Sequence, residues 1–151
     1  MSPPKRSKKR SGANSIADKR LKRAVFYLDE SIYSKKLLMR LRNAGANVEH
    51  AGGAISFGTP DAEWLKVCGA KGWVVLMRDD RVRYRRLERQ ALQSHKVAAF
   101  VLTSTQVTAE ETANIVEVLL QKFVNMSVSE PKPFLYSFGR SKRLSRVNLN
   151  R

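Results

Sequence analysis

The sequence predicts an α/β domain, an open and mostly parallel sheet of roughly five strands with helices on both faces. Three observations carry that expectation. From residue 24 onward, short apolar runs alternate with longer segments whose apolar residues recur every three or four positions. The short runs are largely apolar throughout, as strands buried on both faces must be. Glycine, proline and hydroxyl residues fall at the joints, where helices start and stop.

Ala24-Val25-Phe26-Tyr27-Leu28 reads as the first strand. Ser31 offers an N-cap for a helix whose Ile32, Leu37, Leu38, Leu41 and Ala44 share a face, and Gly45 stops it. Asn47 to His50 is a weak second strand, followed by a loop with Gly52, Gly53 and Gly58. Thr59-Pro60 reads as N-cap and first residue of a helix running to about Ala70, closed by Gly72. Trp73 to Met77 is the clearest strand, and a helix from about Val82 to Ser94 follows. Val97 to Leu102 is the fourth strand. Thr108 caps a long helix through Ile115, Val116, Leu119, Leu120 and Phe123, and Phe134 to Phe138 adds a fifth strand after Pro133. Sheets of this kind place their sites beyond the carboxyl ends of the strands, near the point where strand order reverses.

The 151 residues suit one domain, and a formal charge of +16 favours polyanionic partners. That charge is uneven. Residues 1–23 hold nine Lys/Arg and one acid, residues 139–151 hold five and none, and the body, 24–138, holds fifteen against twelve. The expectation is a nearly balanced domain between a flexible basic N-terminal arm (1–23) and a basic C-terminal tail (139–151). The single cysteine, Cys68, excludes an intramolecular disulfide and a cysteine-based zinc site, and fits a cytoplasmic location. No apolar run reaches the roughly 20 residues that a membrane span needs, so no membrane partner is expected.

Three acids fall where the sheet should carry its site. Asp29 follows the first strand, and Asp79 follows the third. Asp61 opens the helix between strands two and three, with Trp64, Leu65 and Cys68 at i+3, i+4 and i+7 marking that face as the one turned to the sheet. Glu63 lies about 200° round the helix from Asp61 and faces elsewhere. Each acid alone has a plainer role, as a helix cap or a solubilising group. Together, at one edge of so basic a chain, they repel one another unless a cation sits between them. Oxygen-only ligands suit magnesium or manganese, and such a metal can activate water toward a phosphodiester. Glu63 and Asp80 are secondary candidates for the same metal.

Arg78, Arg81, Arg83, Arg85, Arg86 and Arg89 fall within twelve residues beginning at that edge, and Arg81, Arg85 and Arg89 lie along one helical face. Guanidinium forks grip phosphate oxygens, so Arg78, Arg81, Arg85 and Arg89 are candidates to hold an RNA backbone. A solvated helix face is the plainer alternative. His50 and His95, the two histidines, read as structural, although His50 could reach the site. No Ser/His/Asp or Cys/His arrangement, P-loop or dinucleotide-binding motif is present.

Phe26-Tyr27-Leu28-Asp29-Glu30-Ser31, Thr59-Pro60-Asp61-Ala62-Glu63-Trp64-Leu65, Gly72-Trp73-Val74-Val75-Leu76-Met77-Arg78-Asp79 and Phe100-Val101-Leu102-Thr103 resemble, in order and spacing, the PIN-like domains of VapC-type toxins over about 24–138. The resemblance implies a three-layer domain and a magnesium-dependent endoribonuclease with Asp29, Asp61 and Asp79 at its centre. It also implies a small antitoxin protein that restrains the activity, and leaves homo-oligomerisation open. One departure stands out: residues 50–57, a stretch where such relatives often carry acids and histidines, contain no acid. Two other readings stay open. A receiver-like signalling domain phosphorylated on Asp79 would use Asp29-Glu30 and Thr103, but has no place for Asp61 or the arginine stretch. A catalytically inactive domain would bind nucleic acid through its basic ends.

Overall fold

The computed structural model describes residues 11–79, 86–104 and 106–149. Its elements are α1 (Ser11–Arg23), β1 (Val25–Leu28), α2 (Lys35–Asn43), β2 (Asn47–His50), α3 (Asp61–Lys71), β3 (Val74–Arg78), α4 (Arg86–Ser94), β4 (Ala98–Leu102), α5 (Ala109–Ser129), β5 (Phe134–Phe138) and β6 (Ser145–Arg146). The sheet order is β2-β1-β3-β4-β5-β6. The first five strands are parallel, and β6 pairs antiparallel with β5. This is the expected α/β fold with a mostly parallel sheet, one short strand larger.

Side chains alternate across each strand and so feed two cores. Phe26, Leu28, Val74, Leu76, Phe100 and Leu102 pack with Leu37 and Leu41 of α2 and with Val116, Leu119 and Phe123 of α5. Tyr27, Val75, Ala99, Val101 and Leu135 pack on the other face with Trp64, Leu65 and Cys68 of α3 and with Ala91 and Leu92 of α4. The result is three layers, and each large apolar side chain so buried contributes about 1.5–3 kcal/mol. The Phe100 and Phe123 rings, with centroids 4.1 Å apart, bind α5 to the middle of the sheet.

The connections fix where the site lies. The chain leaves β1 toward β2 with α2 on one face, then reverses over β1 to β3 with α3 on the other. The carboxyl ends of β1 and β3 therefore flank the switch point. The β4–α5–β5 unit is of opposite hand to the other three crossovers, because α5 returns to the α2 face while the strands continue in one direction. Nearly all such units share one hand, so this one is a distinctive feature of the fold.

Several local expectations need correction. Ser34, not Ser31, caps α2, its Oγ accepting from Leu37 N at 3.0 Å. Thr59 does not cap α3; its hydroxyl donates to the Ser56 carbonyl, and Pro60 precedes the helix without a side-chain cap bond. Residues 11–23, expected within a flexible arm, form α1, which is held to α5 by an Arg20–Asn125 hydrogen bond and by Leu21 packing on the core. Part of the expected tail supplies β6, where Ser137 pairs with Ser145. Thr108 caps α5 as expected, and Glu111 completes a capping box with it. The start of the helix expected at Val82 lies outside the described residues. No described helix is long and apolar enough to cross a membrane.

Candidate active site

Two acids extend the sheet at its carboxyl edge. Asp29 N donates to the Leu76 carbonyl at 3.1 Å, and Asp79 N donates to the Leu102 carbonyl at 2.9 Å, so each acid is held by the neighbouring strand. β1 and β3 are adjacent, about 4.8 Å apart. Leu28 is paired with Leu76 in their register.

Asp29 is clasped by the turn that follows it. Ser31 Oγ donates to Asp29 Oδ2 at 2.6 Å, and Ser31 N donates to the same oxygen at 3.2 Å. The Ser31 hydroxyl also accepts from Arg78 N at 2.9 Å, which ties the ends of β1 and β3 together. Burial pushes the Asp29 carboxyl above its ordinary range; the Ser31 bonds oppose the shift, and the nearby Asp61 charge adds to it. Asp61, in the first turn of α3, accepts from the Trp64 indole N–H at 2.9 Å. Trp64 in turn packs on Tyr27, with centroids 5.5 Å apart, and Tyr27 stacks on Trp73. Asp29 is thus oriented by Ser31, with a further backbone hydrogen bond from Glu30, and Asp61 is oriented by the Trp64 indole.

Beneath the pair lies Cys68, whose thiol is pushed up to about 12 by burial and then by the Asp29 charge. The Tyr27 hydroxyl is raised by burial, then by Cys68, Asp29 and Glu30. These groups are neutral at physiological pH, so the floor of the site supplies no charge.

Around the rim, Glu30 Oε1 accepts from Gly58 N at 2.7 Å and pins the loop between β2 and α3. Phe57 in that loop is 62 % exposed, an unusual position for a large apolar ring. His50 is a structural anchor: it stacks on Tyr33 at 4.7 Å, and its Nδ1 donates to the Ala51 carbonyl at 2.9 Å. His95 closes α4, and its backbone lies against Gly69 of α3.

The structure therefore links Asp29 electrostatically with Asp61. Among the described residues no group of three or more His, Cys, Asp or Glu side chains is close enough to hold a metal ion, so Asp29, Asp61 and Asp79 are not gathered into one cluster. Glu63 is exposed on α3, away from the pair. The Arg78 guanidinium donates to the Val107 carbonyl at 3.2 Å and so braces the loop before α5. Arg89 is half-buried on α4. Asp80, Arg81 and Arg85 lie outside the described residues. Sequence reasoning missed Ser31, Trp64 and Glu30, which orient the acids and the loop. The i+3 spacing of Trp64 from Asp61 was the available signal.

The chain matches no curated protein and no solved structure. A family model described as a PIN-like domain matches residues 24–104, more than half of the chain, and that span contains Asp29, Asp61 and Asp79. With its three-layer sheet and its acids at the carboxyl edge, the chain belongs to the PIN-like domain family, whose general activity is that of a nuclease.

Proposed function

We propose that the chain is a metal-dependent endoribonuclease, with Asp29, Asp61 and Asp79 as its acidic residues and RNA as its substrate. The observation that carries this reading is the Asp29–Asp61 pair: two electrostatically coupled carboxylates at the switch point, each oriented by a neighbouring donor, in a chain of charge +16. Burial and like charge both disfavour ionised Asp29, and a cation bound between the pair would relieve both. The donors are all oxygen, which suits magnesium or manganese.

When bound, the cation supplies the charge that offsets a phosphodiester and orients an attacking water. The chain's own residues do the rest. Ser31 and Trp64 hold the two carboxylates at fixed angles, so little ordering is needed when the substrate arrives. Asp79, directly after the adjacent strand β3, is the third acid of this reading. The exposed Phe57 ring offers a stacking surface for a base beside the site. The resemblance to VapC-type toxins extends the proposal: the chain arrests growth by cutting RNA and is restrained by a small antitoxin protein.

The test is cleavage of a labelled single-stranded RNA by the full chain, with manganese or magnesium and with a chelator. Metal-dependent cutting supports the reading, and stable RNA under every metal condition contradicts it. A second reading, a catalytically inactive nucleic-acid-binding domain, draws on the acid-free stretch 50–57. It predicts RNA binding without cleavage.

A further inference from the structure

At the carboxyl ends of β4 and β5 lies a cleft of about 380 Å³, lined among others by Thr103, Ser104, Arg140, Ser141, Arg143 and Ser145. It is formed between the loop that leaves β4 and the hairpin that joins β5 to β6. The hairpin closes with Lys142 N donating to the Gly139 carbonyl at 2.9 Å, with Lys142 in the left-handed region at φ 63°. Arg140 and Lys142 therefore fall within this turn, and Arg143 directly follows it.

The polar groups of this cleft are oriented but not spent. Ser104 Oγ accepts from Arg140 N at 3.1 Å, and Ser141 Oγ accepts from Arg143 N at 3.2 Å, so both hydroxyl protons remain to be donated. Arg140 is held by Glu111 at 3.4 Å through Nε and by the Gln106 carbonyl at 2.9 Å through Nη2, which leaves Nη1 unused among the described residues. Glu111 is itself fixed by the capping box of α5, and the Thr108 N–H, then Arg140, hold its carboxyl below the ordinary range. Arg143 and Lys142 have no acid within ion-pair distance among the described residues. Fixed hydroxyl donors and arginines, with a single acid engaged elsewhere, fit one tetrahedral anion.

We infer that this cleft is a phosphate subsite for the RNA backbone, separate from the acidic pair and beside it on the same edge of the sheet. The inference rests on the nucleic-acid reading above. β5 lies two strands from β3, so the cleft is roughly 10 Å from Asp79, the spacing at which another phosphate of the same strand would fall. Arg143 and the Ser141 hydroxyl grip the phosphate, and Glu111 is a positioning residue for Arg140. Because α5 follows β4, its start, and with it Glu111, lies at this end of the sheet.

The experiment measures binding of a fluorescein-labelled oligouridine 12-mer to the full chain, in chelator and across a salt series. The variants are Arg143→Ala, Ser141→Ala, their double variant, and Lys71→Ala. Lys71 is exposed at the end of α3 on the opposite edge of the sheet and controls for net charge. The double variant is expected to bind about tenfold more weakly, and its log–log salt slope to flatten by about 0.7, the value for one phosphate on a single strand. Lys71→Ala is expected to stay within about twofold of the parent, and Arg143→Lys to recover part of the loss. Inorganic phosphate is expected to shift the amide resonances of 139–145 in the parent and not in the double variant. Affinity within twofold of the parent for the double variant, or an equal loss in Lys71→Ala, overturns the subsite. So does a loss confined to a polyglutamate peptide, with RNA binding unchanged. If the RNA is never cut but these binding losses appear, the subsite stands and the nuclease reading falls.

Discussion

Gly69 tests whether the packing of α3 sets the position of Asp61. Alanine is normally the better helix former, so Gly69→Ala in the interior of α3 should by propensity alone stabilise the chain by about 1 kcal/mol. The surroundings reverse that sign. A Cβ at this position would overlap the His95 carbonyl oxygen and lie 2.9 Å from the His95 Cβ and 3.1 Å from its carbonyl carbon. These atoms cannot swing aside. The chain there is held by His95 N donating to the Ala91 carbonyl and Val97 N donating to the Leu92 carbonyl, both at 3.0 Å. Overpacking against fixed backbone costs about 3 kcal/mol, at the upper end of the usual range. The net loss is then about 2 kcal/mol, a fall in Tm of about 4–8 °C for a chain of this size. Thermal melts by circular dichroism read the first effect. RNA cleavage at 25 °C reads the second, because a displaced α3 moves Asp61 away from Asp29. A Gly69→Ala chain that melts higher than the parent, or one that melts lower yet cuts at the parental rate, would refute the reasoning.

Two further predictions concern titrating groups. Because the folded Asp29 carboxyl titrates above its unfolded value, its contribution to stability is intact below about pH 4 and is lost as pH rises through the folded pKa. In chelator, Asp29→Asn should therefore melt higher than the parent at pH 7, with the gap closing toward pH 4; a lower melting temperature at pH 7 contradicts this. Cys68, fully buried and with its thiol pushed up to about 12, should resist alkylation at pH 8 until the chain unfolds, so labelling should track the denaturant melt. Labelling of the native chain at the rate of a free thiol would contradict the placement of Cys68 under the acidic pair.

Much of the architecture was legible because it is carried by local, periodic signals. Apart from β2, an edge strand with the sequence Asn47-Val48-Glu49-His50, the strands from β1 to β5 are short, mainly apolar runs covered on both faces, so their pattern is close to continuous. What escaped was decided by contacts between distant residues. Ser31 and Ser34 are equally good caps on paper, but Ser31 is taken up by Asp29 and by Arg78 from β3, which leaves Ser34 for α2. The helix α1 was hidden by its charge: its basic residues suggest an arm, while Leu21 and Arg20 give it a seat on the core and on α5. β6 has two exposed residues and no apolar signal, and exists because β5 presents an open edge. The site is different: the groups that orient the two acids are local, with Ser31 two residues from Asp29 and Trp64 three from Asp61, while the approach of Asp61 to Asp29 depends on how α3 packs on the sheet.

The central claim is that the acidic pair at the switch point carries metal-dependent cleavage of RNA. The most direct measurement is the manganese-dependent cutting rate of a defined single-stranded RNA by the parent chain and by Asp29→Asn, Asp61→Asn and Asp79→Asn, each first shown to be folded by its melt. Loss of a catalytic charge of this kind typically costs at least 10²-fold. The account predicts that the parent cuts only with metal and that Asp29→Asn and Asp61→Asn each fall by at least about 10²-fold. A folded Asp29→Asn chain that cuts at the parental rate would contradict it.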